Sequence, residues 1–106
     1  LLMGDASAEV EHRLLQLDPD ALAVDVLKVG HHGSKSSSAQ RFVEATGAKI
    51  ALISGPGRHQ SFLPSEQILS RLQQAGLRVW VTGLDGTAQV EFYPGEAPRL
   101  TRIRTP

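Results

Sequence analysis

The chain has 106 residues, 41% of them hydrophobic, and its eleven Lys and Arg balance eleven Asp and Glu. That composition fits one globular domain, is too apolar for a disordered segment, and offers no broad basic face to hold nucleic acid by charge alone. Cysteine is absent, which removes disulfides and thiolate metal sites and leaves histidines and carboxylates as the available ligands.

The opening LLMGDAS reads as the end of a buried strand, and leads to the expectation that the chain is part of a longer polypeptide. Asp5 follows a glycine there. A carboxylate in that place can project into a site and bridge two cations, or it can simply cap a helix or fill a turn. The spacing of Val10, Leu14 and Leu17 predicts a helix over 7–17. Glu9 and Glu11 in its first turns suit the helix dipole, His12 reads as a surface residue, and DPD at 18–20 ends the helix.

A short strand is predicted over 24–29, rich in β-branched residues. It runs into GHHGSKSSS, residues 30–38. Two adjacent histidines point in different directions. One of His31 and His32 can bind a metal through a neutral imidazole nitrogen while the other faces substrate as an acid or a phosphate donor; the ordinary alternative is a structural role. Gly33 lets the chain bend, and Ser34 and Lys35 add a hydroxyl and a cation suited to a phosphate oxygen. The serines either cradle an anion or form a plain loop, with Ser38 capping a helix over 39–46 that buries Phe42, Val43 and Ala45 and stops at Gly47.

KIALIS, residues 49–54, reads as a strand buried on both faces. GPGR at 55–58 is a weak anion-loop signal without P-loop spacing, and His59 beside it is ordinarily a surface histidine. Pro64 suits the start of a helix with Ile68, Leu69, Leu72 and Ala75 inward, ended by Gly76. RVWVT at 78–82, a turn at Asp85-Gly86 and TAQVEFY at 87–93 read as a hairpin with one wet face, with Trp80 in the core. A further short strand is expected near Leu100 to Arg104, where Arg99, Arg102 and Arg104 make a weak basic patch. The order β-α-β-α-β-α-β-β describes a layered α/β unit with a parallel interior. In such sheets sites form at the carboxyl ends of strands, the rim that carries Asp5, His31, His32 and His59.

Three stretches together resemble a known family: LLMGD, VDVLKVGHHGSKSSS, and IALISGPGRHQSFLPSEQILSRLQQAGLRVWVTGLDGTAQVEF. They are similar to the carboxyl half of the metallo-β-lactamase domain of ComEC, the bacterial DNA-internalisation (competence) channel proteins, and the likeness covers Leu1 to about Phe92. The resemblance implies the second half of an αββα sandwich with metal at the sheet edge. It implies that Asp5 bridges two divalent ions, Mn²⁺ or Zn²⁺, that His31 or His32 is a terminal ligand (His31 by preference, with His32 catalytic on the substrate side), and that Gly33, Ser34, Lys35 and His59 line the substrate side. The implied activity is phosphodiester hydrolysis of the DNA strand that is not taken up. The implied partners are single-stranded DNA and the rest of the parent chain with its transmembrane channel. This segment would lie on the outer, periplasmic or extracellular, side of the inner membrane.

Two departures accompany the resemblance. The family's HxHxDH motif has no counterpart in this sequence, so the chain by itself is expected to be inactive and to hold no metal tightly. Where relatives carry a GHPHP-like loop, this chain has Phe62, Leu63 and Ser65. Two other readings compete: a catalytically dead module that docks DNA or a partner at the channel, and a plain α/β phosphate- or nucleotide-binding domain.

Overall fold

A computed structural model describes residues 1–55 and 63–103. Helix α1 spans Ala8–Leu17, strand β1 Val26–Lys28, helix α2 Gln40–Thr46 and strand β2 Ile50–Ile53. Helix α3 spans Glu66–Gln74 and strand β3 Arg78–Val81; a helical turn, Thr82–Asp85, then leads to β4 at Thr87–Glu91 and β5 at Arg99–Ile103.

Strands β1, β2 and β3 form a parallel sheet in sequence order, with Leu27 opposite Ala51 and Ala51 opposite Val79. The first residues extend this sheet at its β1 edge. Leu2 bridges Lys28 in parallel, and Lys28 N–H donates to the Leu1 carbonyl at 2.8 Å. Each strand returns to its neighbour through a helix, and crossovers that all run the same way place their helices on one face of the sheet. The core shows this. Leu27, Val29, Ala51, Ile53 and Val81 meet Phe42 and Val43 of α2 and Ile68 and Leu72 of α3 in one buried cluster. Leu14 and Leu15 of α1 pack at its margin.

The mixed α/β reading holds, and four local expectations change; one is Ala75, expected inward on α3 but exposed at its C-cap. On α1, Val10 and Leu17 are exposed; the inward side is Glu11, Leu14 and Leu15. An apolar stripe is visible at two registers, and the one that meets the sheet includes an acid. At α2 the N-cap is Ala39, without a side-chain cap, and Ser38 takes a left-handed backbone, φ 57°. Ser38 therefore does not cap the helix as expected. Finally, the hairpin is β4 with β5, paired from Thr87–Ile103 to Glu91–Arg99, and β3 takes no part in it. The helical turn after β3 explains the difference: Asp85 accepts the Val81 N–H at 2.9 Å, so the chain leaves the sheet before it reverses.

The hairpin is pinned back to the sheet at Trp80, which is buried as the sequence predicts. Its indole N–H donates to the Gly86 carbonyl at 2.9 Å, and the Arg102 guanidinium lies 5.5 Å from its ring centroid. Arg102 also donates to the Asp85 carbonyl at 2.6 Å. The face of the sheet away from the helices is only partly covered by this hairpin. It keeps an apolar groove of about 400 Å³ lined by Leu2, Val26, Leu52, Val90 and Phe92.

This packing predicts unequal costs for two truncations. Ile53→Ala, at a fully buried position of the central strand, should cost about 2–5 kcal/mol of unfolding free energy. Val10→Ala, on the exposed side of α1, should stay within about 0.5 kcal/mol. Urea unfolding of the two variants measures both; a large loss at Val10 would contradict the assigned face of α1.

Candidate functional site

The carboxyl ends of the parallel strands are laced to one another by short hydrogen bonds. His31 N–H donates to the Gly4 carbonyl at 2.7 Å, tying the loop after β1 to the turn that carries Asp5. The same two segments touch at Gly30. A Cβ there would sit 3.1 Å from the Ala6 carbonyl oxygen and 3.2 Å from the Met3 Cβ, so the close approach favours glycine. Ser65 N–H donates to the Gly33 carbonyl at 2.9 Å, joining the entrance of α3. Beyond β2, Gly55 N–H donates to the Thr82 hydroxyl at 3.1 Å, and Gly83 N–H donates to the Gly55 carbonyl at 2.8 Å. One continuous rim results, and Asp5, His31 and His32 are exposed on it.

The two histidines hold an uncommon backbone. Both lie in the left-handed region, His31 at φ 52°, ψ 41° and His32 at φ 54°, ψ 27°. For residues with a Cβ this conformation costs roughly 1–2 kcal/mol each. Consecutive strained residues persist only where their surroundings over-determine them, and such strain gathers at functional sites. Gly33 follows at φ +82°, and a Cβ there would lie 2.6 Å from the Pro64 Cβ. The bend expected at Gly33 is therefore required twice, by its dihedral angle and by the approach of Pro64.

The imidazoles differ in how they are held. His32 Nδ1 lies 2.8 Å from the Ser54 carbonyl oxygen. A carbonyl only accepts, so the tautomer of a neutral His32 that fits carries its proton on Nδ1 and has its lone pair on Nε2. His31 Nδ1 lies 3.3 Å from the Ser36 hydroxyl, which can donate or accept, so its tautomer is left open. Ser36 in turn exchanges a 2.9 Å bond with the Ser34 hydroxyl.

Lys35 stands exposed at the tip of this loop, and Ser34 is half-buried beneath it. His59 and Phe62 lie outside the described residues. His12 is exposed on α1, as its polar neighbours in the sequence suggest.

A carboxylate and imidazoles suit Mn²⁺ or Zn²⁺ in chemistry. They do not reach the number a centre needs: among the described residues no group of three or more His, Cys, Asp or Glu side chains could hold a metal ion.

Sequence reasoning misses the support beneath the rim. Glu11 is buried, and its carboxylate accepts the Ser38 and Ala39 N–H groups at 2.5 and 2.8 Å. Burial pushes its pKa above the usual 4.5, while those two N–H groups and the nearby Arg71 pull it back. Folding therefore favours the protonated form. This contribution to stability is fully present below about 4.5 and is lost as pH rises through the raised value. The signal available in the sequence is the position of Glu11, four residues before Leu15 and three before Leu14 on the inward side of α1.

The fold and rim together define an α/β segment with a strained histidine loop at the carboxyl edge of a parallel sheet. Comparison with known proteins gives its kinship. ComE operon protein 3 of Bacillus subtilis (strain 168) is 37% identical over 92 residues, which are 87% of this chain and 12% of that protein. Recombination protein 2 of Haemophilus influenzae is 33% identical over 94 residues, 88% of this chain and 11% of that protein. Competence protein ComA of Neisseria gonorrhoeae is 30% identical over 89 residues, 84% of this chain and 13% of that protein. The chain belongs with the ComEC-family competence proteins, as a homologue of one short segment of them. No protein-family model and no solved structure matches it.

Two substitutions test the geometry of the rim. His31→Gly should raise stability by about 0.5–1 kcal/mol, because glycine accepts the left-handed backbone that histidine resists. Gly33→Ala should lower it by about 2 kcal/mol or more, from the combined backbone strain and overlap with Pro64. Thermal unfolding of both variants reads the two signs; a destabilised His31→Gly would mean that the left-handed pair is not under strain.

Proposed function

We propose that this chain is the carboxyl half of a metal-dependent phosphodiesterase domain within a DNA-uptake protein. The observation that carries the reading is the bond from His32 Nδ1 to the Ser54 carbonyl, 2.8 Å long. Metal-binding histidines almost always donate their second ring N–H to a carbonyl or carboxylate, which fixes the tautomer and aims the other nitrogen. His32 meets that description, and His31 does not. We therefore assign His32 Nε2 as the terminal ligand and His31 as the substrate-side imidazole, the reverse of the order favoured from the sequence. Asp5, on the adjoining turn, contributes the carboxylate.

The remaining ligands come, in this proposal, from other parts of the parent chain, since this segment is only a small share of its relatives' length. The sheet's second face supports such a partner. Leu2 and Phe92 are 83% and 65% exposed beside the apolar groove, an arrangement that a second sheet of an αββα sandwich would cover.

A bound pair of divalent ions would supply hydroxide at neutral pH and neutralise charge on phosphate. The chain's own side chains hold and orient. Asp5 presents two oxygens from a tight turn. The Ser54 carbonyl keeps the His32 proton on Nδ1. His31, Ser34 and Lys35 offer donors to phosphate oxygens across one loop. Single-stranded DNA is the proposed substrate, and the parent's membrane channel the proposed neighbour; no helix among the described residues is long and apolar enough to cross a membrane.

The test is a nuclease assay on the full-length protein with single- and double-stranded DNA and added Mn²⁺ or Zn²⁺. Cleavage should fall at least about 10-fold in Asp5→Ala and in His32→Ala, since removing even a group that orients a metal ligand typically costs about 10–100-fold. If the folded wild type cleaves neither DNA with either metal, the hydrolase reading fails and the docking-module reading replaces it.

A further inference from the structure

The proposed site uses GHHGSKSSS as far as Lys35 but not Ser37 and Ser38, which are both buried. Ser37, 1% exposed, closes the loop on itself: its hydroxyl lies 3.0 Å from the Gly30 carbonyl and 3.2 Å from the Ser34 carbonyl. Glu11, also 1% exposed, reaches from α1 and grips the next two residues, one carboxylate oxygen on Ser38 N–H and the other on Ala39 N–H. From the opposite side Arg71 of α3 donates to the Ser38 carbonyl at 2.7 Å.

A helix start is ordinarily capped by a local Ser, Thr, Asp or Asn at small cost. Here Ala39 stands at the N-cap of α2 with no side chain to offer, and a buried carboxylate from another helix holds the N–H groups of that residue and of Ser38 before it. Burying a carboxylate is costly even when it is well hydrogen-bonded. A local cap would not join the entrance of α2 to α1, as these two bonds do. Helix α1 starts three residues after Asp5, and its Ala8 N–H donates to the Ser36 carbonyl at 2.9 Å. The turn bearing Asp5 and the loop bearing the histidines are thus fastened through α1 at Ser36, Ser38 and Ala39, and directly between Gly4 and His31.

We propose that Glu11 is the positioning residue of this rim, fixing the left-handed histidine pair relative to Asp5 by clamping Ser38 and Ala39 to α1, with Arg71 as the second jaw. The role rests on the reading of Asp5 and His32 as one site, but its test needs no hydrolysis. Strained residues need surroundings that over-determine them, and this clamp supplies that condition at the loop's far end. The side-chain amide of Gln has a single acceptor oxygen, so Glu11→Gln keeps one N–H partner and loses the other.

The experiment uses the full-length protein, with hydrogen exchange read by mass spectrometry and ethoxyformylation of His32 by diethyl pyrocarbonate timed against N-acetylhistidine. In Glu11→Gln, amides of residues 36–39 should exchange at least about tenfold faster while those of β2 keep their wild-type rate. His32 should react at least about threefold faster as its hold on Ser54 loosens. Arg71→Met should shift both readouts in the same direction by less, and it carries the test if Glu11→Gln does not fold. Faster exchange at 36–39 with unchanged His32 reactivity would reduce Glu11 to a plain helix cap, and acceleration spread evenly over β1 to β3 would reduce it to a general stabiliser; either overturns the proposal. Failure of the nuclease assay would leave these readouts unaffected, so the two ideas fail separately.

Discussion

A carboxylate sealed from water survives folding only where hydrogen bonds replace its hydration. Glu11 meets that condition with two main-chain N–H groups from one loop and with Arg71 nearby. The effects of that one interaction reach across the molecule. It holds the entrance of α2, where Ser38 takes its left-handed backbone, and ties α1 to the loop after β1. With that end held, the strain at His31 and His32 has nowhere to relax, because Gly33, next along the chain toward that end, is itself trapped against Pro64, and on the other side His31 N–H is tied to the Gly4 carbonyl. Packing of Phe42, Val43, Ile68 and Leu72 on one sheet face gives the stability that tolerates this strain.

The rim gains its chemistry from the sheet beneath it. Parallel strands in sequence order send each loop out at the same edge. Residues distant in sequence, Asp5, His32, Ser54 and Thr82, thereby join one chain of hydrogen-bonded segments. The bond from His32 to a carbonyl chooses between two tautomers of the neutral imidazole and leaves Nε2 as the acceptor. On the opposite sheet face the apolar groove has no such internal logic. It makes sense as a surface that another part of a longer chain covers, and kinship with a segment of ComEC-family proteins fits that view.

Much of this is legible in the sequence. KIALIS marks a central strand, Gly47 the end of α2, and the paired histidines after a β-branched run mark the rim. The differences have physical causes. The stripe on α1 misleads because hydrophobicity cannot reveal that an acid is buried when its partners are amides 27 and 28 residues away. Ser38 looks like a cap because local caps are the common solution; the long-range one leaves no local trace. A β3–β4 hairpin is suggested by the turn signal at Asp85-Gly86, yet Asp85 commits its carboxylate to Val81 and keeps β3 in the parallel sheet. The order proposed for the two histidines has no local trace in the sequence, since it rests on a carbonyl 22 residues from His32.

We propose that Asp5 and the Nε2 of His32 serve one metal site in the full-length protein, with His31 turned to substrate. Anomalous diffraction from crystals of the full-length protein grown with Mn²⁺ or Zn²⁺ tests it most directly. The expected result is an anomalous peak in contact with both the Asp5 carboxylate and His32 Nε2, with Nδ1 of His32 still on the Ser54 carbonyl. A peak on His31 in place of His32, or well-ordered density at the rim with no peak at all, would contradict it.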